Sequence, residues 1–228
     1  MTIGELIQTV RDIGSLSGDI APHTERGVIR LAVNVGLRHV CTTMRIPRFC
    51  YHGSLEPKRT VYKLDFTVSD ITTVKVCYQK KDYPLTPMNI DMMSTAYGKY
   101  DPVAHVPLEE YVTENETVSP SGIKFYAPEP RAPSSRNPEG AQLIWIRPAS
   151  NTLVPNGLWI FGVMMLPELK DDTQNIPIPE VYHMLAIYWA LWLLTRKTEW
   201  MATYTATLPT VANYALEDGR IDIPGRAF

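Results

Sequence analysis

Cysteine is scarce in this 228-residue chain. Cys41, Cys50 and Cys77 are odd in number and form no CxxC pair, which argues against a disulfide scaffold and a four-ligand zinc site. Histidine is dispersed, and His23, His39, His52, His105 and His183 have no partner at metal-ligand spacing. Neither sign of charge prevails. The 22 basic and 24 acidic residues leave a formal net charge of −2, so the chain is not a nucleic-acid binder held by bulk charge. A GxSxG motif, a phosphate loop and a GxGxxG are all absent. Met1 to Val10 has no basic leader followed by an apolar run, so no signal peptide is expected and the chain is taken to work, or be assembled, inside a cell. The longest apolar stretch, within Val181 to Leu194, runs about 14 residues, short of the roughly 20 that span a bilayer.

Two weak chemical signals have structural explanations. Asp171 and Asp172 are adjacent carboxylates of the kind used in acid–base work. They precede a proline-bounded helix, where acidic side chains commonly oppose the positive helix end. Asn115-Glu116-Thr117 matches a glycosylation acceptor, a chance match without a secretory signal. The expectation is a non-enzyme with no cofactor and no metal.

Apolar residues make up 45% of the chain and charged residues 20%, the balance of a folded globular protein. Thr2 and Glu5 have capping-box spacing, and Ile3, Leu6, Ile7 and Val10 follow on one helical face. Gly14 to Asp19 reads as a loop, and Pro22 suits the first position of a second helix. Val28, Leu31, Ala32 and Val35 keep the helical period, and this helix should end before Pro47. Arg26, Arg30, Asn34 and Arg38 lie four apart on its expected outer side. That stripe is either a solvated face or a set of subunit or DNA-phosphate contacts, for which the arginine fork is suited.

After Pro47 the period drops to two. Tyr62, Leu64 and Phe66, then Val74, Val76 and Tyr78, alternate with polar residues, the mark of strands with one buried face. Lys80 to Asp82 is the expected turn, with a return strand at Tyr83 and Leu85. Asn89 to Tyr97 and Leu108 to Tyr111 are expected as short helices, and Ile123 to Tyr126 begins a strand. Pro128 to Gly140 is expected as a surface loop, followed by strands at Leu143 to Ile146 and Leu158 to Met165. Pro177 and Pro179 then introduce an apolar helix that includes His183, a residue expected to be a hydrogen-bonded core histidine. Being apolar all round, this helix should be buried on every side, within the domain or against other subunits. The order of elements gives an α+β fold: a helical bundle from both chain ends with an inserted antiparallel β domain. The expected divisions are 1–49, 50–168, 169–218 and a tail, 219–228.

Several segments carry a family resemblance. Leu143-Ile-Trp-Ile-Arg-Pro148, Leu158-Trp-Ile-Phe-Gly-Val-Met-Met165, Leu169 to Asp172 and Ile178-Pro-Glu-Val-Tyr-His183 occur in a distinctive order. With the Tyr62–Phe66 and Val74–Tyr78 pair and Asp82-Tyr-Pro-Leu85 before them, they resemble the head-to-tail adaptor, or connector, proteins of short-tailed bacteriophages. The Pro128 to Gly140 insertion departs from that pattern. The resemblance implies a structural virion protein, a homo-oligomeric ring of twelve copies seated between the portal protein and the next tail component, a nozzle or tail hub. Double-stranded DNA would pass through it without sequence specificity during genome ejection. The implied location is the neck of the virion, after assembly in the host cytoplasm. A C-terminal tail that binds the portal is also implied, with Arg220, Ile221, Ile223, Arg226 and Phe228 as its contacts. Two other classes stay open on the residues alone, a soluble enzyme of unknown chemistry and a DNA-binding regulator.

Overall fold

The computed structural model describes residues 1–21, 23–97, 109–129, 142–214 and 220–224, the side chains of 213–214 and 220–224 excepted. Among them are five α-helices: α1 (Ile3–Leu16), α2 (Arg26–Met44), α3 (Ile90–Tyr97), α4 (His183–Thr195) and α5 (Thr198–Tyr214). The strands are β1 (Arg48–Leu55), β2 (Val61–Leu64), β3 (Val68–Tyr78), β4 (Lys81–Pro84), β5 (Thr86–Pro87), β6 (Thr117–Val118), β7 (Phe125–Glu129), β8 (Gln142–Arg147), β9 (Ala149–Ser150), β10 (Val154–Met164) and β11 (Arg220–Pro224). The chain divides into two units: Met1–Arg48 with Met165–Arg220, and Phe49–Met164 with Ile221–Phe228.

In the first unit, α1, α2, α4 and α5 share one hydrophobic core. The capping box forms: the Thr2 hydroxyl accepts the Glu5 amide at 3.2 Å, and the Glu5 carboxylate accepts the Thr2 amide at 2.8 Å. Ile3, Leu6, Ile7 and Val10 are buried. The helix runs through Leu16, so the expected loop starts later than Gly14. Helix α2 starts at Arg26, after an N-cap at Glu25, rather than at Pro22, which lies outside the described residues. It ends on Arg45 at φ 55°, ahead of Pro47.

The buried face of α2 differs from the expected one. Ile29, Ala32, Val33, Gly36, Leu37 and Val40 face the core, whereas Val28, Leu31 and Val35 are exposed. Apolar residues lie on both sides of this helix, and periodicity alone cannot choose between two phases one residue apart. For α4, burial within the unit is partial, which leaves the other expectation, cover by other subunits, untested. Leu185, Ala186, Ile187, Ala190 and Leu191 are buried, but Met184 is exposed and Tyr188, Trp192 and Leu193 are half-buried. The neighbouring helices cover one side of α4, so its outer side keeps partial contact with solvent.

In the second unit, a five-stranded sheet has the order β11-β1-β10-β3-β4 and a four-stranded sheet the order β2-β8-β7-β5. Phe49 and Leu55 of β1, Val74 and Val76 of β3 and Leu158 and Ile160 of β10 share a core with Tyr62, Leu64, Tyr126, Ile144 and Ile146 of the other sheet. The opposite face of β7 and β8 holds Ala127 and Trp145, covered by Met93 of α3. The layers are therefore sheet, sheet, helix. The long pairs β3–β10, β2–β8, β7–β8 and β3–β4 are antiparallel, while the short pairs β5–β7 and β6–β9 are parallel.

Local corrections follow from turn geometry. Tyr78 pairs with Lys81, so the hairpin turn is Gln79-Lys80, not Lys80 to Asp82. Both residues have positive φ, 51° and 63°, which matches the twist of the strands they join. Phe66 lies beyond β2. Tyr111 is extended and bridges Arg59 instead of lying in a helix, and Leu108 is outside the described residues. Pro128 and Glu129 belong to β7, and the rest of the expected loop, 130–140, is outside the described residues. Residues 220–224, expected in a tail, form β11 beside β1. The alternation of Ile221 and Ile223 suits an edge strand. Among the described residues, no helix is long and apolar enough to cross a membrane.

Candidate functional site

Helix α2 presents three different faces, each in a different environment. The core face is described above. A second face, Arg26, Arg30 and Asn34, grips the segment that leads into α4. The Arg26 Nε donates to Asp172 Oδ2 at 2.9 Å, and the Arg30 Nη2 donates to Asp172 Oδ1 at 2.7 Å. Partial desolvation raises the Asp172 pKa, but the bonds from Arg30 and Arg26 outweigh it and hold the carboxyl below its ordinary value. Asn34 is buried and acts on both backbone groups of Leu169, accepting the amide at 2.9 Å and donating to the carbonyl at 3.0 Å. The expected arginine stripe thus divides. Arg26 and Arg30 bind their own chain, Asn34 is interior, and Arg38 is exposed.

Asp171 and Asp172 also have a definite role, different from the expected one. Helix α4 begins only at His183, so neither opposes its N-terminus. Asp171 accepts the Thr173 amide and hydroxyl, each at 3.0 Å, while Asp172 is the anchor for the two arginines. The third face of α2, with Val28, Leu31, Val35 and Arg38, is open to solvent.

His183 is 2% exposed, and its Nε2 lies 3.1 Å from the Ile178 carbonyl oxygen, to which it donates. Burial lowers its pKa from the ordinary 6.5, against the opposing pull of that bond. The unfolded chain therefore takes up the proton first as pH falls. The stability that neutral His183 supplies is complete above 6.5 and declines as pH drops through that value toward the lower folded one. His183→Gln, which keeps a donor, is expected to flatten the fall in denaturation midpoint between about pH 6.5 and pH 5. An unchanged slope would assign that fall to other groups, with half-buried His39 the next to test.

Burial pushes the Cys41 thiol up to about 12, and burial with the Asp82 contact does the same for Cys77, so neither is a ready thiolate. No group of three metal-ligating side chains occurs among the described residues. A cavity of about 310 Å³ is lined by Tyr97, Asn115, Glu116, Thr117, Arg147 and Pro148. Burial lowers the pKa of Arg147 there, while Glu116 and Glu109 oppose the shift. Of the expected tail contacts, Arg220, Ile221 and Ile223 lie in β11, and Arg226 and Phe228 are outside the described residues.

The model for the SU10 adaptor protein matches residues 1–224. The chain belongs to the SU10 adaptor protein family. It is accordingly a bacteriophage structural adaptor, of a class placed at the virion neck in association with other neck components. No curated protein matches it.

Sequence reasoning set Asn34 on the outer side of α2, whereas it is buried, and missed Gly36 of this adaptor. A polar residue between Val33 and Val35, and a glycine inside a helix, were the available signals.

Proposed function

We propose that this adaptor forms a closed ring of twelve copies joining the portal of a short-tailed phage to the next tail component, a nozzle or tail hub, and that its lumen is part of the DNA conduit. The observation that carries the reading is the family match across residues 1–224. A closed ring needs head-to-tail contacts between two different surfaces of each subunit. A bundle of helices from both chain ends, with half-buried aromatic residues on α4 and α5, is the part proposed to pack against neighbours. A net charge of −2 suits a conduit, since each neutralised phosphate adds salt-dependent affinity that would hold the duplex back. Arg38, exposed on α2, is the arginine proposed to face the lumen or a neighbour. Assembly would take place in the host cytoplasm.

Residues 219–228 are proposed as the portal contact. Arg220, Ile221 and Ile223 sit within β11, so deleting the whole segment would also remove the strand beside β1. Deleting only 225–228 removes Arg226 and Phe228 and spares the strand. That truncation is expected to reduce binding to portal-bearing capsids at least about tenfold, as loss of an aromatic and an arginine anchor commonly does. Image averaging of the wild-type complex should show a cyclic ring at one vertex. One or two copies per particle, or undiminished attachment of the truncated protein, would count against the reading.

A further inference from the structure

Arg147 closes β8 with few partners for a buried cation. Alternation along the strand turns Ile144 and Ile146 into the core between the sheets and sets Arg147 on the opposite face, that of Trp145. Arg147 is 2% exposed. A guanidinium is a donor-only group with several N–H bonds to place. Here Nη2 makes one long bond, to the Glu109 carbonyl oxygen at 3.4 Å, and Nε has no hydrogen-bond partner among the described residues. The carboxylates of Glu116 and Glu109 act on it by charge alone. A buried charge so poorly bonded is costly to keep, and a bound anion would remove that cost.

The cavity of about 310 Å³ lies at this guanidinium. Strand β6 runs beside β9 with Thr117 opposite Ala149, which brings Glu116 and Val118 next to Arg147 and Pro148. Tyr97 and Glu116, which line the cavity, are also side chains whose charges act on Arg147. Ala96, Val118 and Pro148 supply apolar wall. The guanidinium fork fits an oxyanion, with parallel N–H bonds to its oxygens. Glu116 selects among oxyanions, because its charge on the same wall repels a phosphate dianion more than a carboxylate monoanion. The volume exceeds what a carboxylate group fills, and the apolar wall suits a short hydrocarbon body attached to it. We propose that this cavity binds a carboxylate with a short apolar body, seated on the Arg147 guanidinium and supplied by a free small acid or by an acidic side chain of another protein chain. The ring reading is not needed for it.

Ligand-observed NMR of the full chain with sodium butyrate as the probe tests this. Wild type should bind butyrate saturably, with a Kd on the order of 1 mM, the range for so small a ligand. Phosphate at matched ionic strength should bind at least about tenfold more weakly. Arg147→Lys keeps the charge but loses the fork, and should weaken butyrate binding about tenfold. Ala96→Phe, at an exposed helical position, fills the cavity without touching Arg147. It should keep the wild-type circular dichroism and denaturation midpoint and lose butyrate binding, so it decides the matter even if Arg147→Lys fails to fold. A wild type that binds no butyrate, phosphate binding as tight as butyrate, or an Ala96→Phe variant that binds butyrate normally overturns the proposal. The source of the carboxylate is read separately, from attachment to portal-bearing capsids in excess butyrate. Reduced attachment of wild type, matched by Ala96→Phe without butyrate, assigns an acidic side chain of a neck partner, and undiminished attachment assigns a free acid.

Discussion

Gly36→Val is expected to destabilise the helical unit by about 3 kcal/mol, with Gly36→Ala costing about 1 kcal/mol. A Cβ added at Gly36 would stand 2.7 Å from the Ala186 carbonyl oxygen and 3.5 Å from its Cα. The obstacle is the backbone of α4, which cannot rotate aside as a side chain can. Alanine recovers up to about 1 kcal/mol of helix propensity relative to glycine, which partly offsets the overlap. Valine adds two methyl groups at the same point and gains less propensity, so the helices must separate. Because α2 and α4 hold about half of the buried core residues of this unit, separation loosens packing on both. Denaturant titration followed by helical circular dichroism reads the cost directly. A Gly36→Val midpoint equal to wild type would mean that α2 and α4 are further apart than described.

That close approach explains why some of the fold could be read from residues and some could not. The α1 capping box and its buried face were legible, because Thr2, Glu5, Ile3, Leu6, Ile7 and Val10 satisfy purely local rules. The strands at Val74–Tyr78, Leu143–Ile146 and Leu158 onward were legible through alternation and branched residues. The phase of α2 was not. Val28, Leu31 and Val35 fit a helical period as well as Ile29, Val33 and Val40, and only the partner helix decides which set is covered. The turn at Gln79-Lys80 was hidden because neither residue is glycine or asparagine, although both adopt positive φ. For the site, a four-residue arginine spacing was visible, but its partner Asp172 lies more than a hundred positions away. Long-range pairing of this kind leaves no periodic trace.

Asn34→Ala is expected to cost about 2–3 kcal/mol, comparable with the larger glycine substitution and from a different cause. The Asn34 side chain is 3% exposed and serves Leu169 at both its amide and its carbonyl, while its amide also donates to the Arg30 carbonyl at 3.1 Å. Leu169 is itself buried, so removing Asn34 leaves two backbone groups without partners where water has little access. In a sheet a ladder would supply such partners, but Leu169 belongs to no strand and its amide and carbonyl are served by this one side chain. The damage should therefore be local before it is global. Amide exchange at Leu169 is expected to accelerate strongly in Asn34→Ala, while exchange in β3 and β10 of the other unit stays near wild type. Asp172→Ala loosens the same segment through its other anchor, so the two substitutions together should cost less than their sum. Full additivity, or unchanged exchange at Leu169, would show that the segment is held by its apolar contacts and that the Asn34 bonds are incidental.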